Sequence, residues 1–88
     1  MQSIHIVFML FDRMLATSCA LPMEMLFAAQ NAAERMTPSD QRPQTHIQTI
    51  SDSLSPLTTQ TNIIFQPELT YENEANANII YIPSLWRN

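Results

Sequence analysis

The chain contains no glycine, no lysine and a single cysteine. Without glycine there is no loop in which bare backbone N–H groups can close around a phosphate. That excludes the glycine-rich dinucleotide-binding and P-loop fingerprints. Without lysine, the basic charge rests on four scattered arginines (Arg13, Arg35, Arg42, Arg87) against eight acidic residues, for a net charge of −4. Neutralising a phosphate backbone takes clustered Lys and Arg, so this segment is not expected to bind nucleic acid by itself. Cys19 allows no intrachain disulfide and offers no metal-ligand spacing, so no metal or other cofactor is expected, and a reducing cytoplasm fits.

Charge is scarce as well. Charged residues make up 14% of the chain, below the ~25% of an average soluble domain, while hydrophobic residues reach 45%. Apolar surface is therefore expected to stay exposed unless a partner covers it. The start, Met1-Gln2-Ser3-Ile4-His5, has no basic n-region, so no secretory signal is expected. The longest unbroken apolar run, 6–11, is far short of the ~20 residues of a membrane span, and no membrane contact is expected. Eighty-eight residues make one small domain at most, burying roughly 60–65% of the unfolded surface.

What is present reads as alternating strand and helix. Residues 3–11 form a nearly continuous apolar run, the pattern of a strand covered on both faces in a parallel sheet. Asp12 and Arg13 make the polar turn after it. A helix is expected over 21–36, entered through Pro22, which a first turn tolerates and a helix interior does not. Thr17 and Ser18 are plausible N-caps, and Glu24 suits the positive end of the dipole. Met23, Leu26, Phe27, Ala29, Ala33 and Met36 mark its buried face. After a loop over 37–44, residues 45–50 read as a second strand, near an edge because it is more polar. Residues 57–65 read as a hairpin, 67–78 as a solvated connector, and 79–82 as a last strand ended by Pro83. This order is the opening of an α/β, doubly wound parallel sheet, with the first strand between the other two.

The chemistry is sparse. Cys19 with His5 or His46 would be a nucleophile and base; a small core residue near a helix start is the simpler reading. Ser18 and Ser84 both follow the carboxyl ends of neighbouring strands, where open α/β sheets bind ligands. Trp86 either lines a pocket there or caps the sheet. Ser18, Ser84 and Trp86 are the candidate ligand-binding residues.

Pro22-Met23-Glu24-Met25-Leu26-Phe27-Ala28-Ala29 resembles the first helix of ThiJ/PfpI-type domains, in the class I glutamine amidotransferase-like superfamily. It is most similar to the version at the N-terminus of AraC-family transcription regulators, where the pattern is Pro-Leu-Glu-Val-Phe-x-Ala-Ala. Asn62-Ile63-Ile64-Phe65-Gln66-Pro67 resembles a later strand of that family, and Ile79-Ile80-Tyr81-Ile82-Pro83 its "Val-Val-Pro" strand end. The resemblance runs through all 88 residues but covers only about half of such a domain. It implies a flavodoxin-like three-layer sheet, here cut off after the third main strand.

The family's enzymes use a cysteine on a later elbow, assisted by an acidic residue at the start of this helix. That acidic position falls on Ser18, the oxyanion-binding Gly-Gly falls on Ser84-Leu85, and the elbow would lie beyond Asn88. The resemblance therefore implies a non-catalytic segment, not an enzyme, serving effector sensing or dimerisation, with no DNA-binding domain within 1–88. Its expected partners are a second copy or the remainder of the domain, and a small-molecule effector. The alternatives are the front of a PfpI-like hydrolase or amidotransferase-like protein, or a truncated gene product without independent function.

Overall fold

The computed structural model describes residues 3–36, 38, 44–73 and 77–86. Strand β1 (Ser3–Met9) is its axis. It runs parallel to β2 (Gln44–Ser51) on one side and to β6 (Ile79–Tyr81) on the other. The short β5 (Leu69–Thr70) adds a fourth parallel strand beside β2, giving the order β5-β2-β1-β6. The fold is α/β with a partial flavodoxin-like parallel sheet, and the first strand lies between its two main neighbours as expected. The apolar run explains the central place: Val7 and Phe8, on opposite faces, are 1% and 0% exposed.

Alternation along β1 divides the sheet's faces. Ile6, Phe8 and Leu10 form the core with Met14 and Cys19, and Met23 and Leu26 of the helix pack against it. Each such side chain, fully buried, contributes about 1.5–3 kcal/mol. On the other face Val7, Met9 and Ile50 line a shallow hollow of about 150 Å³ with Tyr71 and Ile80.

Helix α1 (Ala16–Met36) begins earlier than 21, with Pro22 inside it. The local rule against an interior proline is overridden by a distant group. Pro22 has no N–H for the Ser18 carbonyl, and the Tyr81 hydroxyl donates to that carbonyl instead, at 2.8 Å. Thr17 and Ser18 consequently lie within the first turn and not before it, and Glu24 lies beyond it, so the capping and dipole readings do not hold. Arg35 does stand in the last turn.

The expected buried face is mostly open. Ala16 and Cys19 are the helix's buried residues, Phe27 is 48% exposed, Met36 is 83% exposed, and Ala29 and Ala33 are exposed. Length is the reason. Twenty-one helical residues span about 32 Å, whereas the seven of β1 span about 23 Å. The helix overhangs the sheet it packs on.

β2 lies near the edge as expected, covered on its outer side by β5 at its carboxyl end alone. β5 pairs with its end at Ile50 and Ser51, where Thr49, Ile50 and Ser51 are all buried. The expected connector holds more structure than its polarity suggests. Glu68 is not merely a solvated charge: its N–H donates to the Thr49 carbonyl (3.1 Å), and its carboxylate accepts the Thr49 N–H (3.2 Å). Asn78 extends the β6 pairing, its N–H donating to the His5 carbonyl and its Oδ1 accepting the His5 N–H. Most of the expected loop at 37–44, and residues 74–76 of the connector, lie outside the described residues.

The hairpin forms as β3 (Leu57–Thr58) against β4 (Ile64–Phe65). In a chain without glycine its left-handed position falls on Asn62, at φ 66°, a residue type that visits this region more readily than most.

Candidate functional site

The main chain beyond β6 crosses the turn between β1 and α1. Leu15 N–H donates to the Ser84 carbonyl (2.8 Å) and Trp86 N–H to the Arg13 carbonyl (2.9 Å). Together they make an antiparallel bridge between Met14 and Leu85. Met14 beneath it is 0% exposed. In a sheet of this order the connections diverge on either side of β1, and the crevice at the carboxyl ends of β1 and β6 is the topological switch point. Here the backbone of 84–86 crosses it.

Ser18 ties this crossing to the helix. Its hydroxyl donates to the Leu15 carbonyl (2.8 Å) and accepts the Ser84 N–H (2.9 Å). Its own N–H also donates to the Leu15 carbonyl (2.9 Å), and its carbonyl accepts from Tyr81. Phe8 steadies the Tyr81 ring, with centroids 4.8 Å apart and planes tilted by 37°. The structure thus brings the candidates Ser18 and Ser84 into direct contact, with Trp86 next along the same segment and 39% exposed. Every polar group of Ser18 is engaged within the protein. Sequence reasoning placed the two serines together from their positions at strand ends, but missed Leu15 and Tyr81. The available signal for Tyr81 was a hydroxyl-bearing aromatic at the end of a buried strand, beside a helix carrying an interior proline.

Cys19 faces the core. It is 0% exposed, its Sγ is 3.9 Å from Met23 Sδ, and desolvation pushes its pKa up from 9.0 to about 11. A nucleophilic cysteine needs its thiolate favoured, the opposite shift. The histidines sit at the far end of the sheet. His5 and His46 are register partners near the starts of β1 and β2, and the His5 ring is hydrogen-bonded to Gln48 Oε1 at 2.8 Å. Cys19, by contrast, follows the carboxyl end of β1. Among the described residues no group of three or more His, Cys, Asp or Glu is placed to hold a metal ion. Among them, too, no helix is long and apolar enough to cross a membrane.

A second opening at the carboxyl ends was not anticipated. A hollow of about 400 Å³ lies on the β2 side, with Phe11, Leu57 and Tyr71 as apolar lining and Asp12, Ser51 and Asp52 as its polar part. The Ser51 hydroxyl donates to Asp52 Oδ1 at 3.2 Å.

No family model and no curated protein sequence matches the chain. Among solved structures, it is similar to the crystal structure of a "putative transcriptional regulator protein" from Vibrio parahaemolyticus, at 21% identity and a TM-score of 0.71. The match covers 98% of this chain and 41% of that one. The chain thus spans less than half the length of the protein it resembles, and what the two share is the fold.

Proposed function

We propose that the chain is the N-terminal part of a ThiJ/PfpI-like sensor or dimerisation domain of an AraC-type transcription regulator, acting in the cytoplasm and without catalytic activity. The observation that carries this reading is the state of Ser18. The resemblance puts an acidic group of the family's enzymes at this position, and oxyanion-binding amides at Ser84-Leu85. Here the Ser18 hydroxyl and the Ser84 N–H are bonded to each other at 2.9 Å. A serine cannot supply the carboxylate that tunes a thiol, and an N–H already engaged does not stabilise an oxyanion. The regulator-like fold of the Vibrio protein supports the same assignment. On this reading Ser18, Ser84 and Trp86 border the effector's entrance, and the partner is a second copy or the remainder of the domain.

The test is the reading frame that follows Asn88, and then the protein it encodes. A helix-turn-helix pair roughly a hundred or more residues on, with operator binding by the full-length protein and no amide hydrolysis, is the expected result. A Gly-x-Cys-x-Gly elbow with a nearby histidine and no DNA-binding tail would replace the regulator with a PfpI-like hydrolase.

A further inference from the structure

We propose that residues 84–86 are a strap that opens as one unit over the β1–α1 turn, with Ser18 as its latch. The strap is held mainly through its backbone, by the bonds of Ser84 and Trp86 to Leu15, Ser18 and Arg13. Its side chains lend little burial: Leu85 is 53% and Trp86 39% exposed. Hydrogen bonds near solvent compete with water and contribute modestly. Segments with few buried apolar contacts and exposed hydrogen bonds open without global unfolding. The residues leading into the strap differ. Tyr81 is fixed by Phe8 and the Ser18 carbonyl, and Pro83 is buried. The moving part therefore starts after Pro83.

Among the described residues Ser18 is the one side chain whose polar group joins the two segments, accepting from Ser84 while donating to Leu15. It is a positioning residue. Opening releases the N–H groups of Leu15, Ser84 and Trp86 together and uncovers the switch-point crevice above Met14. The strap stands independently of the regulator reading, since its test needs neither an effector nor DNA.

Amide hydrogen exchange, resolved by residue on the 88-residue chain, tests it. The amides of Leu15, Ser84 and Trp86 are expected to share one protection factor, at least about tenfold below those of Val7 and Phe8 in β1. Ser18→Ala is expected to lower the three together by about five- to tenfold, the effect of one net hydrogen bond, and to leave the β1 amides unchanged. Ser18→Thr, which keeps the hydroxyl, restores them. Equal protection in the strap and β1 would overturn the proposal, as would three unrelated strap values or a Ser18→Ala effect spread evenly over the sheet. Should Ser18→Ala not fold, the wild-type comparison of strap with β1 decides by itself.

Discussion

The Tyr81 hydroxyl donates at 2.8 Å to the Ser18 carbonyl, the acceptor that Pro22 leaves without its helical donor. A strand residue thus completes the hydrogen bonding of a helix turn across a separation of 63 residues. Tyr81→Phe removes the donor and leaves a part-buried carbonyl unsatisfied, a loss of about 1–3 kcal/mol in urea unfolding. Pro22→Ala gives the helix its own N–H at that point. In the Pro22→Ala background the Tyr81→Phe penalty should fall by about half or more. Penalties that add within about 0.3–0.5 kcal/mol would show that the two residues are not coupled.

Cys19 makes stability fall at alkaline pH. Its folded pKa, about 11, lies above its ordinary value of 9.0, so the folded chain holds the proton more tightly than the unfolded chain. Its contribution is complete below pH 9 and is lost as pH rises from 9 through 11, on the order of 2–3 kcal/mol in all. Cys19→Ala should flatten that part of the stability profile. Ellman's reagent at pH 8 should react with the wild-type thiol no faster than the core opens; immediate labelling of the folded chain would contradict the burial.

The β6 side should make the 88-residue chain dependent on company. Ile79 and Ile80 are 51% and 57% exposed on a strand with no neighbour beyond it among the described residues, and Met25 of the helix is 64% exposed nearby. Natural sheet edges are usually guarded by charge or proline, and β6 itself carries neither. Dilute chain should unfold in urea with a broad, weakly cooperative transition that sharpens at higher concentration as copies associate, and Ile80→Lys should suppress association in sedimentation velocity. A sharp, concentration-independent transition of the monomer would show that this face needs no cover.

Nucleic acid should not bind this segment. With a net charge of −4 and no lysine, it lacks the clustered cations that release counterions from a duplex. A gel-shift titration of the 88-residue chain at moderate salt should show no specific complex, and tight binding there would defeat the assignment of DNA contact to other parts of a regulator.

Much of this was legible in the residues, and what was hidden has physical reasons. β1 announces itself because the run from Ile4 to Leu10 suits a buried parallel strand, and β6 because Ile79 to Tyr81 is β-branched and aromatic. Their adjacency follows from crossover handedness, and so does the meeting of Ser18 with Ser84. The start of α1 was hidden because the rule for proline is local while the group that overrides it, Tyr81, is remote. The open face of α1 was hidden because periodicity marks which side is apolar and says nothing of how far the sheet extends. β5 has two residues, too few for any period, and is held by the exchange between Glu68 and Thr49. The hollow beside Asp12 and Asp52 needs the hairpin and Tyr71 folded over the strand ends, an arrangement no linear pattern encodes.

The order β5-β2-β1-β6 also sets a timetable. No two neighbours in this sheet can zip from a tight turn, and contacts between distant segments form slowly. As the chain leaves the ribosome, α1 emerges long before β6. During that interval β1 has one bare flank, and the Ser18 carbonyl has neither an amide nor a phenol to meet it. Both gaps close together once Tyr81 has left the exit tunnel. A pause that keeps β6 inside the tunnel would hold the nascent chain in its most vulnerable form.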